Sequence, residues 1–120
     1  MSEKRKTLSF NNKRLYLEVD KYNYSGNIAI IAYTKNDLYG DITINLNGYS
    51  VDEDEGFINS ITKDSGLENK LISEGIIKEV VTTVKHNMGT YDLVIFDLEK
   101  LKEYDPEGMQ CYNEVIEELE

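Results

Sequence analysis

The chain of 120 residues has one cysteine, one histidine, one proline and no tryptophan. A single cysteine excludes an internal disulfide, and His86 with Cys111 supplies too few ligands for a zinc site, which needs three or four. A Cys–His nucleophile would also need a third group to orient the base. No phosphate-cradling loop is present either. We therefore expect no catalytic residue, no metal and no cofactor.

Long apolar runs are also missing. No segment approaches the ~20 apolar residues that cross a bilayer, and no apolar segment follows the basic start as it would in a signal peptide. Together with the single cysteine, these features predict a cytoplasmic protein with no membrane partner. The length predicts one domain over residues 1–120, with residues 1–6 as a basic tail.

What the sequence has instead is negative charge, with 23 acidic residues against 13 basic ones and a net charge of -10. The charge is uneven, because residues 97–120 hold nine acidic and two basic residues. A surface of this sign repels nucleic acid and attracts basic protein surfaces. Direct nucleic-acid binding is therefore not expected.

Hydrophobic patterning predicts mostly strands. Asn11 and Asn12 tolerate the positive φ of a hairpin turn and separate two β-like runs. The continuous apolar run at 28–33 is typical of a central strand covered on both faces. About six strands are predicted in all, at residues 7–10, 14–22, 28–33, 41–46, 76–84 and 91–96.

Two segments predict helices. Ser65 and Glu68 have the S-x-x-E spacing of a capping box, which indicates a short helix that ends at Gly75. Asp105 followed by Pro106 indicates the start of an acidic amphipathic helix over residues 105–120. The fold class is therefore α+β: a mainly antiparallel sheet of about five to six strands, one short inserted helix and a C-terminal acidic helix.

Three segments carry a family resemblance. Residues 22–30 read Y-N-Y-S-G-N-I-A-I, residues 39–46 read Y-G-D-I-T-I-N-L, and residues 56–59 after the acidic loop read G-F-I-N. In this order and spacing they resemble the DUF4313 family, small bacterial proteins of unknown function met on phages and conjugative elements. The similarity covers roughly residues 14–98, departs from the family pattern at 59–63, and does not include the acidic C-terminal helix. It implies a mobile-element setting and brings no catalytic residue.

Acidic and aromatic side chains are the candidates for a binding surface. Glutamates at the C-terminal end of a helix oppose its dipole, which indicates either a functional role or a frayed, solvated end. Tyrosines give large contact area at low entropic cost but are also common in strands, and an acidic loop is often only solvated. We expect three of the tyrosines, those at 22, 24 and 39, to cluster at one end of the sheet. The predicted partner-binding residues are Asp52, Glu53, Asp54, Glu55, Glu114, Glu117, Glu118, Tyr22, Tyr24 and Tyr39.

Three functions stay open at this point. The first is a non-enzymatic nucleic-acid mimic that docks on a basic, nucleic-acid-binding host protein in the manner of an anti-CRISPR or anti-restriction protein, as a monomer or homodimer. The second is a homodimeric accessory protein of a mobile element that pairs through an exposed sheet edge. The third is a small hydrolase or metal-dependent enzyme with a cleft of carboxylates such as Asp37, Asp41 and Asp92, whose spacing does not specifically indicate catalysis.

Overall fold

The computed structural model describes residues 5–119 apart from Tyr24 and Asn47, and it describes the backbone but not the side chain of Leu119. This part of the chain contains eight strands and four helices. In chain order they are β1 (Leu8–Phe10), β2 (Lys13–Lys21), β3 (Ile28–Tyr33), β4 (Leu38–Asp41), β5 (Thr43–Ile44), β6 (Glu55–Ile58), α1 (Ser60–Asp64), α2 (Leu67–Ser73), β7 (Ile77–His86), β8 (Gly89–Phe96), α3 (Leu98–Tyr104) and α4 (Pro106–Leu119).

The first hairpin is confirmed. Asn11 and Asn12 have φ of 51° and 62°, and Phe10 pairs with Lys13 across them. Two consecutive positive φ values define the tight hairpin turn whose twist matches that of the flanking strands. The two asparagines therefore fix the register in which Leu8 faces Leu15.

The strands form two four-stranded antiparallel sheets, which confirms the α+β class and divides the expected sheet into two. Sheet 1 has the order β1-β2-β3-β4 and sheet 2 the order β5-β6-β8-β7. The run predicted as one strand at 41–46 bends at Ile42, which is 1% exposed and donates its N–H to the Ile30 carbonyl at 2.9 Å. Because the chain bends there, β4 stays in sheet 1 and β5 starts sheet 2.

The central position of β3 is confirmed, but its expected cover on both faces is only partly present. Ile28, Ile30 and Ala32 point into the core, whereas on the other side Ala29 is buried and Ile31 and Tyr33 are half-buried. The continuous apolar run therefore reflects one fully buried face and one partly buried face.

The capping box at Ser65 is wrong. Ser65 is the C-cap of α1, and Gly66, with φ of 90°, occupies the N-cap position of α2 without a side-chain cap. The Glu68 side chain is buried rather than turned back to the helix start. The predicted stop is correct, because Gly75 has φ of 78° and its N–H bonds the Ile72 carbonyl.

Helix α4 begins as the sequence predicts and is anchored on sheet 1. Asp105 is 8% exposed; it accepts the Gly108 N–H at 3.1 Å and, through its other oxygen, the Val19 N–H at 2.9 Å. Arg5 donates to the carbonyls of Tyr104 and Leu17 and lies 4.0 Å from Asp105. One carboxylate thus caps the helix and binds it to β2.

The core is one cluster that contains side chains from both sheets and all the longer helices. Leu15, Leu17, Phe96, Tyr104 and Met109 belong to it, each 1% exposed or less. Of the predicted basic tail, Arg5 and Lys6 lie against this folded body, with the Lys6 N–H bonded to the Glu103 carbonyl, and residues 1–4 lie outside the described residues. In the described ranges, no helix is both long and apolar enough to cross a membrane.

Candidate partner-binding surface

The acidic loop is an ordered turn, which we call the acidic turn (Asp52–Glu55). The Glu55 N–H bonds the Asp52 carbonyl at 3.0 Å, and the Glu55 carboxylate accepts the Asp52 N–H at 2.8 Å. Glu55 also begins β6, opposite Ile95. Its carboxylate therefore stabilises the turn, whereas Asp52 and Glu53 are exposed and Asp54 is half-exposed.

The structure brings the acidic turn against helix α4. Tyr112 is 3% exposed, and its hydroxyl donates to the Glu53 carbonyl at 2.6 Å. At 1.5 Å rise per residue, Glu114, Glu117 and Glu118 lie within about 9 Å of Tyr112 along the helix axis, but at 3.6 residues per turn they are on the solvent side of α4, opposite the buried Tyr112. The acidic turn therefore contacts the inner side of the helix whose outer side carries these glutamates, and we call the two acidic segments together the acidic ridge (Asp52–Glu55 with Glu114, Glu117 and Glu118).

One cation, Lys102, lies beside the helical part of the ridge, where it lines a recess together with Glu114 and Glu117. Within the described ranges, its carboxylates form no ion pair; the paired acids are instead Glu74, Asp92, Glu103 and Asp105. The last turn of α4 carries no basic residue. Burial, followed by the charges of Glu53 and Asp54, raises the pKa of Tyr112 to about 12, which keeps its hydroxyl protonated as a donor at neutral pH.

Tyr112→Phe tests this link. We expect the free energy of unfolding to fall by about 1 kcal/mol, the net value of a buried hydrogen bond, because the Glu53 carbonyl loses its partner. Amide exchange of Phe96, whose N–H bonds the Asp54 carbonyl at 2.7 Å, should accelerate as the turn loosens. Tyr39→Phe is the control, since the Tyr39 hydroxyl has no hydrogen bond to any described residue. Equal stability and equal exchange in Tyr112→Phe would show that the link does not hold the turn.

The predicted tyrosines do not form one cluster. Tyr22 follows the β2 residue that pairs with Ile28, and its hydroxyl bonds Thr43 Oγ1 at 2.9 Å. Tyr39 lies on β4, near the opposite end of β3, and packs half-buried against the core. Tyr24 lies outside the described residues. Tyr22 is therefore a structural link between β2 and β5, while Tyr39 lines a separate groove beside α1.

A partly buried group of charges, not predicted from the sequence, lies between α1, α2 and sheet 2. Lys63 Nζ lies 3.0 Å from Asp92 Oδ1, which also accepts the Thr83 hydroxyl at 2.6 Å. Glu68 is 5% exposed beside them, and its Oε1 bonds no described atom. Burial, and then the neighbouring Asp92, raises the pKa of Glu68 to about 7. Burial acts to raise the pKa of Asp92 too, but hydrogen bonds from Thr83, Glu68 and Lys63 outweigh it and lower that pKa.

The remaining reactive side chains are scattered. Asp92 is engaged as above, whereas Asp37 and Asp41 are exposed on sheet 1 and its β3–β4 turn. Cys111 is a free, exposed thiol on α4, and the His86 ring lies 5.9 Å from that of Tyr49. In the described part of the chain, no three His, Cys, Asp or Glu side chains are grouped as a metal ion would require.

Comparison with known proteins adds one finding. The family model described as "Domain of unknown function (DUF4313)" matches residues 16–116. This match extends past the resemblance read from the sequence and includes most of α4. No curated protein and no solved structure matches the chain.

Proposed function

Since the chain belongs to the DUF4313 family, we propose that it is a non-enzymatic binding protein of a mobile element, active in the cytoplasm of a bacterial host. It occupies the basic, nucleic-acid-binding surface of a host defence protein of the CRISPR or restriction type. Carboxylates take the place of phosphates, so that bound protein and nucleic acid exclude one another. No metal or cofactor is part of this mechanism.

The observation that supports this proposal is the Tyr112–Glu53 hydrogen bond, which joins the acidic turn to α4. It fixes the backbone of the acidic turn against the helix that carries the second acidic segment on its outer side. An ordered backbone loses less entropy when a partner binds than a flexible loop does. Long-range attraction to a basic surface then raises the association rate at low salt.

Charge reversal on the ridge tests the proposal. Glu53→Lys with Glu117→Lys should lower the association rate with a basic DNA-binding defence protein about tenfold at low salt, because steering is lost. The matched control is Asp37→Lys with Asp64→Lys, which changes the net charge equally at two exposed positions, one in the β3–β4 turn and one in α1. Stopped-flow binding at low and high salt measures the rate, and displacement of fluorescent DNA measures competition. Equal rates for both pairs, or no displacement of DNA from any such protein, would overturn the proposal.

The alternative of a homodimeric accessory protein is favoured by one observation. Strand β7 is ten residues long, lies at the end of sheet 2, and exposes 41% of Val80 and 42% of Val81. Two register shifts interrupt it, however, and the Tyr49 hydroxyl donates to the Lys85 carbonyl at 3.3 Å. Bulges and lysines of this kind protect an edge from pairing. A dimer mass by light scattering that becomes a monomer mass in Val81→Lys would favour the alternative.

A further inference from the structure

The outer face of sheet 1 (Tyr16, Glu18, Asp20, Ile31, Tyr33, Leu38 and Asp41) is a second surface with the composition of a binding interface. Leu15, Leu17 and Val19 point into the core, so the alternate residues of β2 point outward. The register places Tyr16 opposite Tyr33 and Glu18 opposite Ile31. The same rows continue into β4, where Tyr33 faces Leu38 and Ile31 faces Asp41.

This face has an apolar centre and an acidic border. Leu38 is 62% exposed, and the side chains of Tyr16, Ile31 and Tyr33 are half-buried next to it. Glu18, Asp20 and Asp41 are exposed around them, with Arg14 as a cation at one end of the same β2 row, and among the described residues none of the three carboxylates is in an ion pair. Interfaces between proteins commonly combine an aromatic or aliphatic centre with a charged rim.

A recess opens over one end of the face. It has a volume of about 470 Å³, and Tyr16, Glu18, Tyr33 and Leu38 line it together with the β3–β4 turn at 34–37, which contributes one cation, Lys35, and one carboxylate, Asp37. Arg5 also lines it, but the Arg5 guanidinium is bonded to the Tyr104 and Leu17 carbonyls. Glu18 is a diagonal neighbour of Tyr33 on this face, because it pairs with Ile31, two residues before Tyr33. Burial, and then the Glu18 charge, raises the pKa of Tyr33.

We propose that the outer face of sheet 1 docks a basic partner protein and that the recess receives one arginine side chain of that partner, with its guanidinium over the Tyr16 and Tyr33 rings and beside the Glu18 carboxylate. The planar guanidinium stacks on aromatic faces and pairs with a carboxylate through two parallel N–H groups, whereas a lysine ammonium does neither as well. Asp20 and Asp41 attract further cations of the same partner. The inference rests on the proposed function for the chemistry of the partner and adds a contact surface on the other side of sheet 1 from α4.

The test is a two-dimensional ¹H–¹⁵N NMR titration of the full chain with a short glycine-spaced arginine peptide, and with the same peptide carrying lysine. We expect the largest shifts at the amides of Tyr16, Glu18, Tyr33 and Asp37, and a dissociation constant about threefold lower for the arginine peptide. Shifts confined to the acidic ridge, or equal affinity for both peptides, would overturn the docking surface.

Variants separate stacking from net charge. Tyr33→Ala and Glu18→Gln should each weaken the arginine peptide about threefold, the size of one exposed cation–π contact or one exposed ion pair. Tyr33→Phe keeps an aromatic ring and should bind the arginine peptide as the wild type does. Glu79→Gln, on β7, removes the same charge as Glu18→Gln and should leave the affinity unchanged. Equal weakening by both glutamine variants would overturn the arginine recess.

Failure of this inference and failure of the proposed function give different results. Arginine-peptide shifts on the outer face, without displacement of DNA from any defence protein, would keep the docking surface and overturn the proposed function. Displacement of DNA that Tyr33→Ala and Glu18→Gln leave unchanged would keep the proposed function and overturn the docking surface.

Discussion

Gly108→Ala is expected to lower the free energy of unfolding by about 3 kcal/mol, although alanine is the better helix former. A Cβ at Gly108 would lie 2.1 Å from Asp105 Oδ2 and 2.7 Å from the Val19 carbonyl oxygen. The Asp105 carboxylate is held in place by hydrogen bonds from the Val19 and Gly108 N–H groups. The Val19 carbonyl belongs to the backbone of β2, which is paired with β3 and cannot easily move. The methyl group therefore has to push the first turn of α4 away from β2.

Urea unfolding, monitored by circular dichroism, measures the change in the free energy of unfolding of Gly108→Ala. Gly40→Ala is the matched control, because a Cβ at Gly40 meets nothing within 4 Å, and its stability should stay within about 0.5 kcal/mol of the wild type. A double-mutant cycle with Asp105→Ser adds a second test. The shorter serine side chain removes the carboxylate oxygen that the new methyl group would contact, so Gly108→Ala should lower the free energy of unfolding less in that background. Full stability of Gly108→Ala would show that α4 does not sit this closely on β2.

Glu68→Gln is expected to stabilise the protein at pH 8 by about 2 kcal/mol and to change little at pH 4.5. The pKa of Glu68 is raised by burial from its ordinary value of 4.5 to about 7. A raised carboxyl pKa gives stability that is complete below the unfolded value and is lost as the pH rises towards the folded value. The wild type therefore loses stability between about pH 4.5 and 7, and a neutral glutamine avoids this loss.

Asp92 gives the opposite dependence of stability on pH. Its pKa is lowered, so its contribution is present above the ordinary value and is lost as the pH falls through the folded value. Asp92→Asn should therefore destabilise at neutral pH, because Lys63 loses the negative charge that it pairs with, and the neutral amide oxygen is a weaker acceptor for Lys63 and Thr83. Denaturant unfolding of both variants between pH 4 and 8 separates the two effects, with exposed Glu79→Gln as the control. A difference between Glu68→Gln and wild type that does not change with pH would contradict the raised pKa.

Local signals in the sequence predicted local structure well. The two asparagines at 11 and 12 fixed a hairpin because both residues of a tight turn need positive φ. Asp105 with Pro106 fixed the start of α4, since a carboxylate cap and a proline at the first helical position act within one turn. In both cases the interaction that decides the structure lies within four residues of the signal.

Distant contacts account for what sequence analysis missed. The spacing of Ser65 and Glu68 fits a capping box, but the Glu68 side chain is buried next to Lys63 and Asp92 instead. Asp92 is 24 residues away in the sequence. The two acidic segments were found separately, whereas the Tyr112–Glu53 bond that joins them spans 59 residues. The outward alternation of Tyr16 and Glu18 was visible on β2, but their neighbours on β3 and β4 depend on strand pairing, which periodicity does not give.

The bond between Val19 and Asp105 has a consequence for synthesis on the ribosome. Sheet 1 consists of neighbouring strands that can pair as soon as residues 8–41 have emerged, whereas the helix bound to its inner face is made 86 residues after Val19. At about 5–20 residues per second, the part of the inner β2 surface that α4 covers stays exposed for several seconds. A chain arrested after β8 therefore exposes this apolar strip, and completion of α4 removes a surface that favours aggregation.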